Sequence, residues 1–158
     1  MLLVSSSPSH RRIASLPEVL NRHLAAGADS DRSSVATYID RGAALVDAAA
    51  LHALHRLRRP LQLKIEQLED SAHLRRRLEL LSTYFDEASA DGSLGAPAHR
   101  EVAFALLYFL NGMDRIPDAL PEIGLLDDAM VVQIVLQRHA ATFRAHWLRR
   151  RRSWPSEL

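Results

Sequence analysis

Five carboxylates fall within one short segment of the chain: Asp114, Asp118, Glu122, Asp127 and Asp128. Clustered oxygen donors of this kind suit a hard cation, Mg²⁺ or Ca²⁺. Asp114, Asp118, Asp127 and Asp128 are therefore the candidate metal ligands, drawn from both sides of a bend. The same residues have a plainer use. Carboxylates in the first turn of a helix meet unpaired N–H groups and the positive dipole end, worth about 0.3–1 kcal/mol each. Aspartates beside prolines also close turns. The spacing favours capping over metal binding, and it does not match an EF-hand loop.

Other chemistry is thinly represented. His52 and His55 lie three apart, and His139 and His146 seven apart, but neither pair forms an established ligand spacing. There is no cysteine, which excludes disulfides, thiolate zinc sites and cysteine nucleophiles. No nucleophile elbow or glycine-rich phosphate loop is present. The reading leans away from catalysis, and no cofactor is expected other than Mg²⁺ or Ca²⁺ at the acidic segment.

The basic residues are nearly all arginine, with Lys64 the only lysine. Three runs stand out: Arg56, Arg58 and Arg59; Arg75, Arg76 and Arg77; and Arg149, Arg150, Arg151 and Arg152. The last lies between Trp147 and Trp154, a pattern that places tryptophan at lipid headgroups and arginine on phosphates. It also suits a nucleic-acid backbone, or simply a solvated helix end that complements the negative dipole end. The formal net charge is only +1, so no global attraction to polyanions is present.

The elements that would position these groups are helical. Glycine and proline number 6 and 7 in 158 residues and gather in a few places, leaving long stretches that suit helix. Residues 1–12 read as a disordered lead, and Ser15 and Glu18 frame a first helix that ends at Gly27. A second helix is expected over about 31–59, stopped by Pro60, and a third over about 61–88, with apolar stripes that pair them antiparallel. Residues 89–97 form a loop. A fourth helix spans about 98–110 and leaves at Gly112. Pro117 and Pro121 stiffen the elbow, and a fifth helix runs over about 125–150. The fold class is all-α: a bundle of about five helices, with a C-terminal helix–proline/aspartate elbow–helix core and a long antiparallel helical pair. The organisation is one compact domain, divided into the lead 1–12, an N-terminal helical layer 13–95, the helix–elbow–helix 96–152 and a frayed tail 153–158. No stretch is apolar for long enough to span a bilayer, and no signal peptide is evident. The expected location is the cytoplasm, or the inner face of the membrane as a peripheral protein.

The elbow carries a resemblance. Tyr108, Asp114, Ile116, Pro117, Asp118, Pro121, Gly124, Asp127 and Asp128 fall in register with the pattern of the YkvA / DUF1232 family of bacterial helical domains. The resemblance covers about residues 100–140. Asn111-Gly112 and Arg115 depart from the usual pattern. The resemblance implies a helix–turn–helix core but no agreed biochemical activity. The function expected from the whole is a non-enzymatic interaction or scaffold domain that associates with a protein partner or with an anionic membrane surface. Self-association is expected through the apolar stripes of helices 31–88. Metal-dependent activity at the elbow and arginine-mediated nucleic-acid binding are the alternatives.

Overall fold

The computed structural model describes residues 32–92, 95–115 and 121–158, with side chains given for 35–92, 95–110 and 128–158. Seven helices follow in order among them: α1 (Arg32–Ala44), α2 (Ala48–Arg56), α3 (Arg58–Glu66), α4 (Ala72–Ala90), α5 (Pro97–Arg115), α6 (Pro121–Arg138) and α7 (Ala140–Arg149). No strand occurs among the described residues, and the all-α class stands. The lead 1–12, the helix expected over 15–27 and the elbow residues 116–120 lie outside them.

α5 is the axis of the bundle. Its sequence from Val102 to Leu110 is apolar on every side, and Glu101 to Leu110 are buried without interruption. A helix of that kind is stable only when others surround it. α1, α2, α3, α4 and α6 all pack on it. Phe104, Leu106, Tyr108 and Phe109 are fully enclosed; each such side chain contributes about 1.5–3 kcal/mol of burial. α1 comes especially close, because Gly42 faces the Phe104 ring. A Cβ at Gly42 would stand 2.3 Å from the Phe104 Cε2 atom.

The long helical pair is not formed. The stretch expected as one helix is cut at residues 45–47. There Asp47 turns its carboxylate onto the Ala50 N–H at 2.8 Å and starts a new helix. A second interruption falls at Leu57 instead of at Pro60. Proline has no N–H to donate to the Arg56 carbonyl, so the ladder resets just before it, and Pro60 sits in the first turn of α3. A third break, after Glu66, separates α3 from α4. The stripes themselves are real: Val35, Ile39, Leu61, Ile65, Leu78, Leu81 and Phe85 are all buried. These side chains pack into the core of the chain, while Leu45, Leu57 and Leu63 of the same stretch stay exposed.

The C-terminal half differs at its joints. α5 continues in helical form through Asn111 and Gly112 to Arg115, so Gly112 does not release the chain. α6 begins at Pro121, four residues earlier than expected, with proline at the first helical position. The expected fifth helix is also divided at His139 into α6 and α7. α7 ends with Arg151 in the left-handed region (φ 56°), and N–H groups of Arg151 and Arg152 bond to the carbonyls of Leu148 and Trp147. This is a Schellman closure built without glycine. The tail then leaves helical form, with Trp154 and Leu158 packed against the core and Arg76 paired with Glu157 at 2.7 Å.

The close approach of α1 to α5 generates a prediction. Gly42→Ala must displace a fully buried ring, an overpacking cost of about 1–3 kcal/mol. Urea unfolding of the variant should show that loss with an unchanged m-value. Wild-type stability would show that the two helices are farther apart than described.

Candidate functional site

The acidic segment is spread over two helices. Asp114 falls in the last turn of α5, and Asp127 and Asp128 fall beyond the first turn of α6. Because α6 starts at Pro121, neither Asp127 nor Asp128 caps it, which corrects the capping reading for those two. Asp128 is completely buried. Asp118 lies outside the described residues. Among the described residues, no group of three or more histidines and carboxylates is placed to hold a metal ion.

Two charged clusters tie helices together. In the first, Glu101 projects from α5 into a site only 8% exposed. The Arg138 Nη1 group donates to Glu101 Oε1 at 2.6 Å and to Asp40 Oδ1 at 2.7 Å, and its Nη2 group donates to the Ala36 carbonyl. His139 Nε2 meets the other Glu101 oxygen. Burial alone would raise the Glu101 carboxyl; the hydrogen bonds from His139 and Arg138 outweigh it and hold the group below the usual carboxylate range. Arg138 thus fastens the α6–α7 joint to α1 through Asp40 and to α5 through Glu101, and the break at His139 sits where Arg138 and His139 both turn inward.

In the second, Glu87 of α4 receives the C-terminal arginines. Arg152 donates to both its oxygens, at 2.6 and 2.7 Å, and lies over the Trp147 ring at 4.8 Å. Arg150 reaches Glu87 at 3.2 Å and Asp91 at 2.8 Å, and His146 approaches Glu87 at 3.3 Å. Trp147 is buried, and Trp154 is half-buried with its ring edge-on to Trp147. Of the six residues read as a membrane or phosphate contact, then, Arg150, Arg152, Trp147 and Trp154 are engaged inside the chain. Arg149 and Arg151 are exposed, and so is Leu148 at 75%.

A cleft of about 690 Å³ opens between α2, the end of α4 and the start of α5. Val46, Ala48, Leu51 and Ala90 give it an apolar floor; His52, His55, Asp86 and Arg100 stand around it. The Asp86 carboxyl is pushed up by burial, against the Arg58 guanidinium 3.0 Å away. Asp47 is committed to its cap. Arg100 is exposed and has no carboxylate partner among the described residues.

Behind the cleft lies the nearest approach to a serine–histidine pair. The Ser89 hydroxyl donates to the Phe85 carbonyl at 2.7 Å and stands 2.8 Å from Nε2 of His99. His99 is fully buried and stacked on Phe85, and burial holds its imidazole below the usual histidine range, neutral. A hydroxyl whose proton is already given to a backbone carbonyl is not an activated nucleophile. The pair closes the core.

The architecture is thus a helical bundle wrapped on a buried helix, with ionic clusters at its joints and an apolar cleft at one side. Residues 101–134 match the model of a family described as a protein of unknown function, DUF1232. No curated protein and no solved structure matches the chain. The matched segment holds Glu101, the buried run of α5 and Asp128, in agreement with the resemblance at the elbow. The cleft and the C-terminal arginines lie outside it. No described helix is long and apolar enough to cross a membrane.

Glu101, Glu87, Arg138, Asp86 and Arg100 were not singled out by sequence. The one available signal was a carboxylate abutting the longest apolar run, since a charge there needs partners.

Because the folded-state Glu101 carboxyl lies below its unfolded value, its contribution is present above the unfolded pKa and disappears as pH falls through the folded one. Glu87, also lowered once its arginine and histidine hydrogen bonds outweigh burial, acts in the same direction. Glu101→Gln should cost about 1–3 kcal/mol at neutral pH and flatten the decline of Tm in acid. A wild-type slope retained in the variant would assign that decline elsewhere.

Proposed function

We propose that the chain is a non-enzymatic interaction domain that receives an apolar, carboxylate-bearing segment of a partner protein in the cleft between α2 and α4. The observation that carries this reading is the cleft itself: an apolar floor with a cation at its edge, Arg100, that has no carboxylate partner among the described residues. Two helices forming the walls of an open groove suit a third helix, whose apolar side chains repeat at helical spacing. Charge complementarity selects an acidic residue beside that stripe. The absence of an activated nucleophile at Ser89 favours binding over turnover.

The test is a selection from a displayed peptide library, with binders re-examined on two variants. Ala90 is exposed on the cleft wall, so Ala90→Trp fills the groove without entering the core. Arg100→Glu inverts the rim charge. Enriched peptides should combine apolar residues with an acidic one and bind each variant about tenfold or more weakly. Peptides indifferent to both variants, or no enrichment, would contradict the reading.

A further inference from the structure

The fold brings together arginines from two separate parts of the sequence. A second cleft, of about 490 Å³, lies between α4, α6, α7 and the C-terminal tail. Arg77 enters it from α4, Gln133 from α6, Arg144 from α7, and Trp154 and Ser156 from the tail. No side-chain carboxylate lines it. The neighbouring arginines are neutralised: Arg75 by Glu79 at 3.1 Å, Arg76 by Glu157 at 2.7 Å. Arg77 and Arg144 have no carboxylate partner among the described residues, and Arg77 Nε is shut off from solvent without an acceptor. Arg144 instead lies over the Trp154 ring, 5.7 Å from its centre. A guanidinium with a buried, unsatisfied Nε leaves its Nη groups as the donors open to an anion in the cleft.

We propose that this cleft binds a phosphomonoester. Two guanidinium groups offer paired N–H donors to phosphate oxygens, the Gln133 amide and Ser156 hydroxyl supply further donors, and Leu136 and Ala140 give the organic part an apolar surface. The Arg76–Glu157 pair holds the tail in place as one wall of the site. The site is separate from the groove beside α2 and does not depend on what that groove binds.

Trp154 provides the readout. Phenyl phosphate is titrated into the full chain while tryptophan fluorescence is followed, with phenol and inorganic sulfate as controls. In a second arm, the protein is sedimented with phosphatidylcholine vesicles with and without phosphatidic acid, whose headgroup is also a phosphomonoester. Saturable quenching by phenyl phosphate identifies a soluble ligand, pelleting dependent on phosphatidic acid identifies a lipid one, and either supports the site. In both arms Arg77→Gln and Arg144→Gln should each weaken binding about tenfold, while Arg149→Gln on the neighbouring surface leaves it unchanged. Arg144 is exposed, so its variant tests the site even where Arg77→Gln disturbs the fold. Absence of binding in both arms overturns the proposal. So does binding that the Arg149 variant weakens equally, or that sulfate reproduces at the same concentration.

Discussion

The burial of α5 is the constraint on which the rest of the structure depends. Ten consecutive residues, Glu101 to Leu110, have almost no contact with water, and a helix in that position cannot form stably before its neighbours arrive. Of the surrounding helices, α4 and α6 match α5 in length, and α1, α2 and α3 are shorter. α1 approaches through Gly42, and α2, α3, α4 and α6 also pack on it. The four enclosed side chains Phe104, Leu106, Tyr108 and Phe109 outweigh any single exposed ion pair, since burial of each is worth about 1.5–3 kcal/mol and an exposed ion pair about 0–1 kcal/mol.

The charges then fix arrangement more than they supply stability. Glu101 sits on the axis itself, where an unpaired carboxylate would be costly, and it draws in Arg138 and His139 from the joint between α6 and α7. Glu87 does the same for the end of α7 through Arg150 and Arg152. The first cluster coincides with the break between α6 and α7, and the second ties the end of α7 to α4. Two places are left uncovered: the apolar groove beside α2, and the arginine-lined cleft beside the tail. The groove beside α2 lies outside the segment that matches the family model, whereas the arginine-lined cleft takes Gln133 from within it.

Helical class and core were legible because both are local. The apolar run 102–110 and the stripes through Ile39, Ile65, Leu78 and Phe85 mark buried faces, and all are buried. The helix breaks were less legible. Asp47 before three alanines is a cap signal, but a continuous apolar phase concealed it, and Pro60 was taken for a stop when it occupies the tolerated first turn. The break at His139 has no local signal: it coincides with a contact to Glu101, 38 residues earlier in sequence. The C-terminal arginines carry the same lesson. Four in a row read as a surface contact, yet two of them find Glu87, 63 and 65 positions back along the chain, and no composition or spacing reveals such a partner.

The measurement that tests the account most directly is native-state hydrogen exchange resolved along the chain, at increasing denaturant below the unfolding transition. If α5 is the axis, amides of residues 102–110 exchange only through global unfolding, with opening free energies equal to the equilibrium stability and the same denaturant dependence. The amides of α7 and the tail should open earlier, in smaller steps. Exchange of residues 102–110 by local opening, faster than in α4 or α7, would contradict the claim that the surrounding helices depend on this one.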